Sequence, residues 1–344
     1  MNPIFLALLI FTLLINACSD EFNMFEDEVD IVDDHENTII VYANFSPSNE
    51  LHFVRVNRGY SAENFYAGAG TIDSLQFAPD EVDVKVFRLR NDDTVASYEC
   101  RDTILQKMEG NFFYAEEVIA FYFHEPDLLG IDTSGAIQYA VQVCVGEDTV
   151  TAQTNAIKDF DFFYPPDIPY ILLEFEGEQF RVEINKALNS QIYKVSGIGR
   201  YKEITEINGD KDTVLRKFNF AIAKTLENRP ATGGKKKFFP PCGIFYDALE
   251  QDVITNGDTV NTVKRMFDRV AFRAISGNSD LALIQSSSDV FTGFHDYLNE
   301  LNNVENGLGF FSSYNQTTTR FYEISGPSRD SIVAFFGEKY KFTR

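Results

Sequence analysis

The sequence contains no tryptophan and only four histidines in 344 residues. Without tryptophan, an aromatic platform of the kind that sugar sites often use must come from tyrosine, of which there are 16. His35, His52, His124 and His295 are scattered and show no zinc-type spacing. No His-Glu-x-x-His and no Gly-x-Ser-x-Gly occurs, so two common hydrolase constellations are missing. Positive charge is also scarce. The 30 Lys and Arg stand against 52 Asp and Glu, a formal net charge of −22. Phosphate backbones call for a basic surface, so composition points to no nucleic-acid partner. The apolar run Ile4 to Ile15 falls short of the ~20 residues that span a bilayer.

That run has the length of a signal-peptide h-region. Ile15-Asn16-Ala17-Cys18 closes it. The tetrapeptide resembles the lipobox of bacterial lipoproteins, whose leader is cleaved before a cysteine that then carries lipid. The resemblance implies that residues 1–17 are a signal peptide and that Cys18 is lipidated. Met1-Asn2-Pro3 lacks the usual basic side chain, and an ordinary secretory leader with a chance cysteine is the alternative. Residues 18–36 follow, rich in Asp and Glu with no Lys or Arg. Like charges at this density repel and extend a chain, which predicts a disordered acidic tether. Cys18-Ser19-Asp20-Glu21-Phe22 also resembles the export signal of Bacteroidetes surface lipoproteins. That implies a lipid-anchored protein on the outer face of the outer membrane. One acyl chain anchors only marginally, and a lipoprotein cysteine carries several.

The 33 Phe and 16 Tyr favour strands, and the expected fold class is mainly β. Residues 37–158 read as short strands: Thr38 to Phe45, Leu51 to Val56, Val82 to Val86, and a hairpin of Tyr139 to Val145 with Thr149 to Thr154. This spacing predicts an immunoglobulin-like β-sandwich. Cys144 falls on the strand face opposite Tyr139, Val141 and Val143, unlike the core cysteine of an immunoglobulin domain. Cys100, Cys144 and Cys242 allow one disulfide plus a free thiol, or none. The proline-rich stretch from Asp159 to Pro169 marks a domain junction.

Residues 168–344 predict an antiparallel β-rich domain with one or two helices. Ile171 to Phe175 and Phe180 to Ile184 bracket a Glu-Gly-Glu turn. Ile192 to Ile204 and Val214 to Ile222 form a long hairpin about Asn208-Gly209-Asp210. Leu226 to Pro241 reads as a loop whose tip is Lys235-Lys236-Lys237. Gly243 to Val253 reads as a short helix and Phe267 to Ser276 as a strand. Ser288 caps an amphipathic helix carrying Phe291, Phe294, Tyr297, Leu298 and Leu301.

Asn303-Val304-Glu305-Asn306-Gly307-Leu308-Gly309-Phe310-Phe311 then turns into a strand. This helix-motif-strand order, and less distinctively His52 to Arg58, resembles an uncharacterised family of Bacteroidetes outer-membrane lipoproteins. Members pair an N-terminal sandwich with a β-rich C-terminal region, and many are encoded beside TonB-dependent receptors. The family has no assigned activity, so the resemblance implies location and company rather than chemistry. Taken alone, the motif reads as a tight turn whose glycines serve backbone geometry.

No nucleotide, metal or cofactor site is expected. Gly234-Lys235-Lys236 is no P-loop, since Arg229 and Lys236 stand at positions that need Gly and Ser or Thr. Asp159, Asp161 and Asn208 to Asp212 offer oxygens to calcium, but turn chemistry explains them more simply. Asp-Ser/Thr-aliphatic triplets place Ser74, Thr94, Thr103, Thr149, Thr213, Thr259 and Ser331 in a pattern resembling the O-glycosylation site of Bacteroidetes exported proteins. The plainer reading is Asp ending a turn and a β-branched residue opening the next strand. The expected function is a lipid-anchored binding or accessory protein, not an enzyme, beside a TonB-dependent transporter. The alternatives are an adhesin or structural surface protein, and a hydrolase with an unfamiliar site built on carboxylates such as Glu174 and Glu183.

Overall fold

A computed structural model describes residues 38–47, 49–59, 76–106, 117–124, 137–173, 179–282 and 302–344. The protein is mainly β, with several sheets built largely from antiparallel pairs. Its first strands are β1 (Ile39–Phe45), β2 (Leu51–Arg58), β3 (Val82–Arg90), β4 (Asp93–Glu99), β5 (Arg101–Gln106), β6 (Glu117–His124), β7 (Ile137–Val145) and β8 (Asp148–Asn155). One layer runs β1-β2-β6-β5 and the other β8-β7-β3-β4. Strand alternation decides what lies between them. Val41, Ala43 and Phe45 face Val84, Val86, Tyr139 and Val143 in one core, as a period of two requires. Burying each valine or phenylalanine among them contributes roughly 1.5–3 kcal/mol before entropy is counted. The layers form a β-sandwich, the architecture expected for this region. Gly146-Glu147 and Asn91-Asp92 close two-residue hairpins, helped by positive φ at Gly146, Asn91 and Asp92.

The second part contains β9 (Phe162–Tyr164), β10 (Tyr170–Ile171), β11 (Val182–Asn185), β12 (Ile192–Ile207), β13 (Asp210–Leu226), β14 (Lys235–Phe238), α1 (Gly243–Asn256) and β15 (Thr262–Gly277). It ends with β16 (Val304–Glu305), β17 (Leu308–Thr318), β18 (Glu323–Ile324), α2 (Gly326–Tyr340) and β19 (Phe342–Thr343). The hairpin about Asn208-Gly209 forms as expected, over longer strands. Gly197 and Gly199 of β12 sit opposite Phe220 and Phe218 of β13. Any Cβ at either glycine would fall within 2.3 Å of a phenyl carbon, so the rings lie directly over the bare backbone. These rings meet Phe245 of α1, and α2 adds Ile332 and Phe336 to the same core.

Several elements differ from the sequence reading. The lysine run is no loop tip: β14 pairs antiparallel with β11, and Lys236 pairs with Glu227. The two runs around Glu-Gly-Glu join different sheets. Tyr170 and Ile171 pair in parallel with β18, while β11 lies between β14 and β9. Asp330-Ser331-Ile332, expected at a turn leading into a strand, lies within α2. That helix is capped by Ser325, whose Oγ accepts the Ser328 N–H, and it opens on Pro327. The helix expected from Ser288 lies outside the described residues.

The chain after residue 302 also returns to the first sandwich. β17 pairs in parallel with β1 on one side and antiparallel with β15 on the other. The strand path is therefore continuous, β13-β12-β15-β17-β1-β2-β6-β5. Val304 and Phe311 enter the first core, so this returning segment packs with strands that precede residue 158. The Asn303 motif makes the join. Asn303 accepts the Phe311 N–H and donates to the Phe311 carbonyl, both at 2.7 Å. Gly309 has φ +117°, and a Cβ there would lie 2.0 Å from the Val41 carbonyl oxygen.

Candidate binding surface

The buried ionisable groups are occupied in holding elements together. Glu203 on β12 is 0% exposed and Arg265 on β15 is 2% exposed. Strand register sets them side by side. Arg265 donates Nε and Nη2 to Glu203 Oε1 at 2.9 and 2.6 Å, and Nη1 to the Tyr340 carbonyl at 2.7 Å. Glu203 also accepts from Arg216 Nε and from the Asp258 N–H. Burial pushes its carboxyl up, but these donors outweigh it and hold the pKa below the usual range. Beside them Tyr201 donates to Asp252 at 2.9 Å, and burial with that anion pushes the phenol well up. The cluster locks α1 and α2 to the long sheet. Sequence reasoning missed it, although the alternation Gly197, Gly199, Tyr201, Glu203 already put a carboxylate on the apolar face.

Two other polar sites are structural in the same sense. At the seam between the two parts, Thr154 donates to Asp280 Oδ2 and Asn278 donates to both. Burial raises the Asp280 carboxyl pKa despite those donors. In the first core, His52 is 2% exposed, stacked on Phe123 at 4.9 Å and flanked by Phe45. One ring nitrogen donates to the Asn49 backbone, while Nε2 is buried with no partner among the described residues. Desolvation lowers its pKa to about 4.

The groups on the outer sheet face, many of them half-buried, are arranged differently. Residues on the face of β1 away from the core gather aromatic and guanidinium side chains. Tyr42, 38% exposed, lies opposite Arg55 and Phe310, with the Tyr42 and Phe310 rings edge to face at 5.5 Å. Phe53 and Tyr122 pair alongside at 6.4 Å. Farther along the same continuous sheet, the outward face of β13, β12 and β15 carries Lys and Arg. Arg200 there stacks 3.9 Å over Phe321 and pairs with Asp268 at 2.6 Å. Such a face offers stacking, cationic and hydrogen-bonding contacts on a sheet platform.

The expected site residues are not brought together. Cys18, Ser74 and Glu174 lie outside the described residues. Thr94, Thr149 and Thr213 stand exposed beside hairpin turns, Thr259 is exposed in the turn before β15, and Thr103 lies half-buried on β5. The Ser331 hydroxyl donates to the Pro327 carbonyl within α2. Glu183 is buried and tied to Arg181, which holds its carboxyl below the usual range. Among the described residues, Cys100, Cys144 and Cys242 form no disulfide, and burial pushes the Cys100 thiol up to about 12. Asp159 and Asp161 accept from Asn315 and Asn185. Among the described residues, no group of three or more His, Cys, Asp or Glu is placed to hold a metal ion. Among them also, no helix is long and apolar enough to cross a membrane.

No family model and no curated protein matches the chain. Among solved structures, the C-terminal globular domain of an oligosaccharyltransferase from Pyrococcus abyssi aligns over 70% of this chain, at 11% identity and a TM-score of 0.25. The alignment covers 47% of that structure, and a likeness this distant carries no argument about function.

Proposed function

We propose that the chain is a lipid-anchored, surface-displayed binding protein that acts without catalysis. It captures a nutrient or peptide beside an outer-membrane transporter of the TonB-dependent kind. The observation that carries this reading is the outer face of a sheet continuous through both parts, where the Tyr42 ring and the side chains of Lys194, Lys202, Lys217, Arg269 and Arg273 are exposed. The buried carboxylates support it from the other side, because Glu203 and Glu183 are already engaged by arginines. The apolar leader and Cys18 supply the address, with the first sandwich read as an immunoglobulin-like module.

Fractionation of the producing cells tests the anchor. Wild type is expected in the outer-membrane fraction and open to added protease on intact cells, with Cys18→Ser released. Retention of Cys18→Ser on membranes would remove the anchor. Affinity purification of the native lipoprotein should recover an outer-membrane receptor, and recovery of none under complex-preserving conditions would remove the transporter.

A further inference from the structure

We infer that β13, with the outward face of its neighbours β12 and β15, is a docking site for an extended acidic polypeptide segment of a partner protein. The inference rests on the binding-protein reading above and names the partner's chemistry.

The first observation is charge. Register places Lys217, Arg200 and Arg269 in one row across the three strands, and Lys224 opposite Lys194. Lys202 and Arg273 share that face by alternation. Strands lie ~4.8 Å apart and every second residue ~6.8 Å along, so the cations form a close lattice. Two acids there are already engaged, Asp268 by Arg200 and Glu206 by Lys211. Among the described residues, Lys194, Lys202 and Lys217 form no ion pair. Like charges set directly opposite destabilise a sheet. Their concentration in a chain of net charge −22 therefore carries a folding cost that an anionic partner would offset.

The second observation is the edge. β13 has 17 residues and ends the sheet; among the described residues, no strand pairs with its far side. A row of main-chain donors and acceptors is thus open along a basic strand. Edge lysines discourage self-pairing, and the same lysines favour an added strand that carries carboxylates. In such a strand, acids at alternate positions fall on one face, over Lys217 and its neighbours. This combination selects the occupant. A glycan cannot continue the ladder. Single-stranded nucleic acid needs aromatic stacking surface, and among the described residues the ring placed against this face, Phe321, is covered by Arg200. A polypeptide answers both features.

The test is fluorescence anisotropy with the full chain in detergent and a labelled 11-residue peptide of alternating Glu and Thr, a length of about two-thirds of the edge. Binding is expected to weaken at least tenfold in 0.5 M NaCl and at least tenfold in K194E/K202E/K217E. These side chains are exposed, so the variant should keep the wild-type circular dichroism and melting curve. A peptide N-methylated at the residues facing β13 should also lose at least tenfold. Unchanged affinity in the triple variant would overturn the proposal, as would equal binding of the N-methylated peptide. Tighter binding of a sulfated glycan or of single-stranded DNA than of the peptide would also overturn it. None of these results alters the fractionation of Cys18→Ser, so the two readings fail separately.

Discussion

Lowering the pH from 7.5 to 5.0 should destabilise the first sandwich through the imidazole of His52. The side chain lies among Phe45, Phe123 and Tyr139, with no partner for Nε2 among the described residues, and its pKa falls from 6.5 to about 4. The unfolded chain therefore binds the proton more readily. Stability is full above the unfolded value of 6.5 and is lost as pH falls towards 4. A shift of ~2.5 units corresponds to ~3.4 kcal/mol once pH lies below both values, and integration gives a loss of ~2 kcal/mol at pH 5.0. Glu203 and Glu227 have lowered pKa values, so their own losses lie below this window. Urea unfolding of wild type and His52→Phe at both pH values isolates the contribution. Phenylalanine keeps the stack and loses the contact to Asn49, a cost independent of pH. The variant should lack the ~2 kcal/mol pH-dependent part. Parallel losses in the two proteins would refute the reasoning, because the imidazole would then titrate as in water.

Arg265→Met strands Glu203 in the core with fewer donors and should cost ~3–5 kcal/mol. The double variant Glu203→Leu/Arg265→Met should recover part of that loss, since no buried charge is stranded; chemical denaturation checks both, and a double variant less stable than the single one contradicts the account. Gly309→Ala combines an unfavourable φ with a clash against Val41, so it should cost more than ~1 kcal/mol and speed hydrogen exchange in β1. Wild-type exchange in β1 would show that the parallel join tolerates a side chain.

Much of the secondary structure was legible because it is written locally. Val82, Val84 and Val86 alternate with charged residues and face the core as a period of two requires. Asn208-Gly209 carries the positive φ that a two-residue hairpin needs. The elements that escaped were those whose local signal conflicted with the outcome. Lys235-Lys236-Lys237 reads as solvated, yet Glu227, Glu183 and the Phe163 ring give the lysines partners in a strand. α2 opens on Gly326-Pro327, which resembles a turn, although Ile332, Phe336 and Tyr340 recur at helical spacing. The Asn303 motif was visible as a turn, but not its role in joining β17 to β1, because the partner lies far away in the chain.

The sequence by itself determined that this is a β-rich, strongly acidic chain, which strands have an apolar side, and where the tight hairpins fall. Those properties depend on neighbours within a few residues. Tertiary structure decided which side chains meet. Glu203 finds Arg265, and Lys217 finds Arg200 and Arg269, only through the register of strands far apart in the chain. A net charge of −22 averages over the whole surface. The pleat and the register concentrate cations on one face of three strands, and no average over composition can reveal that.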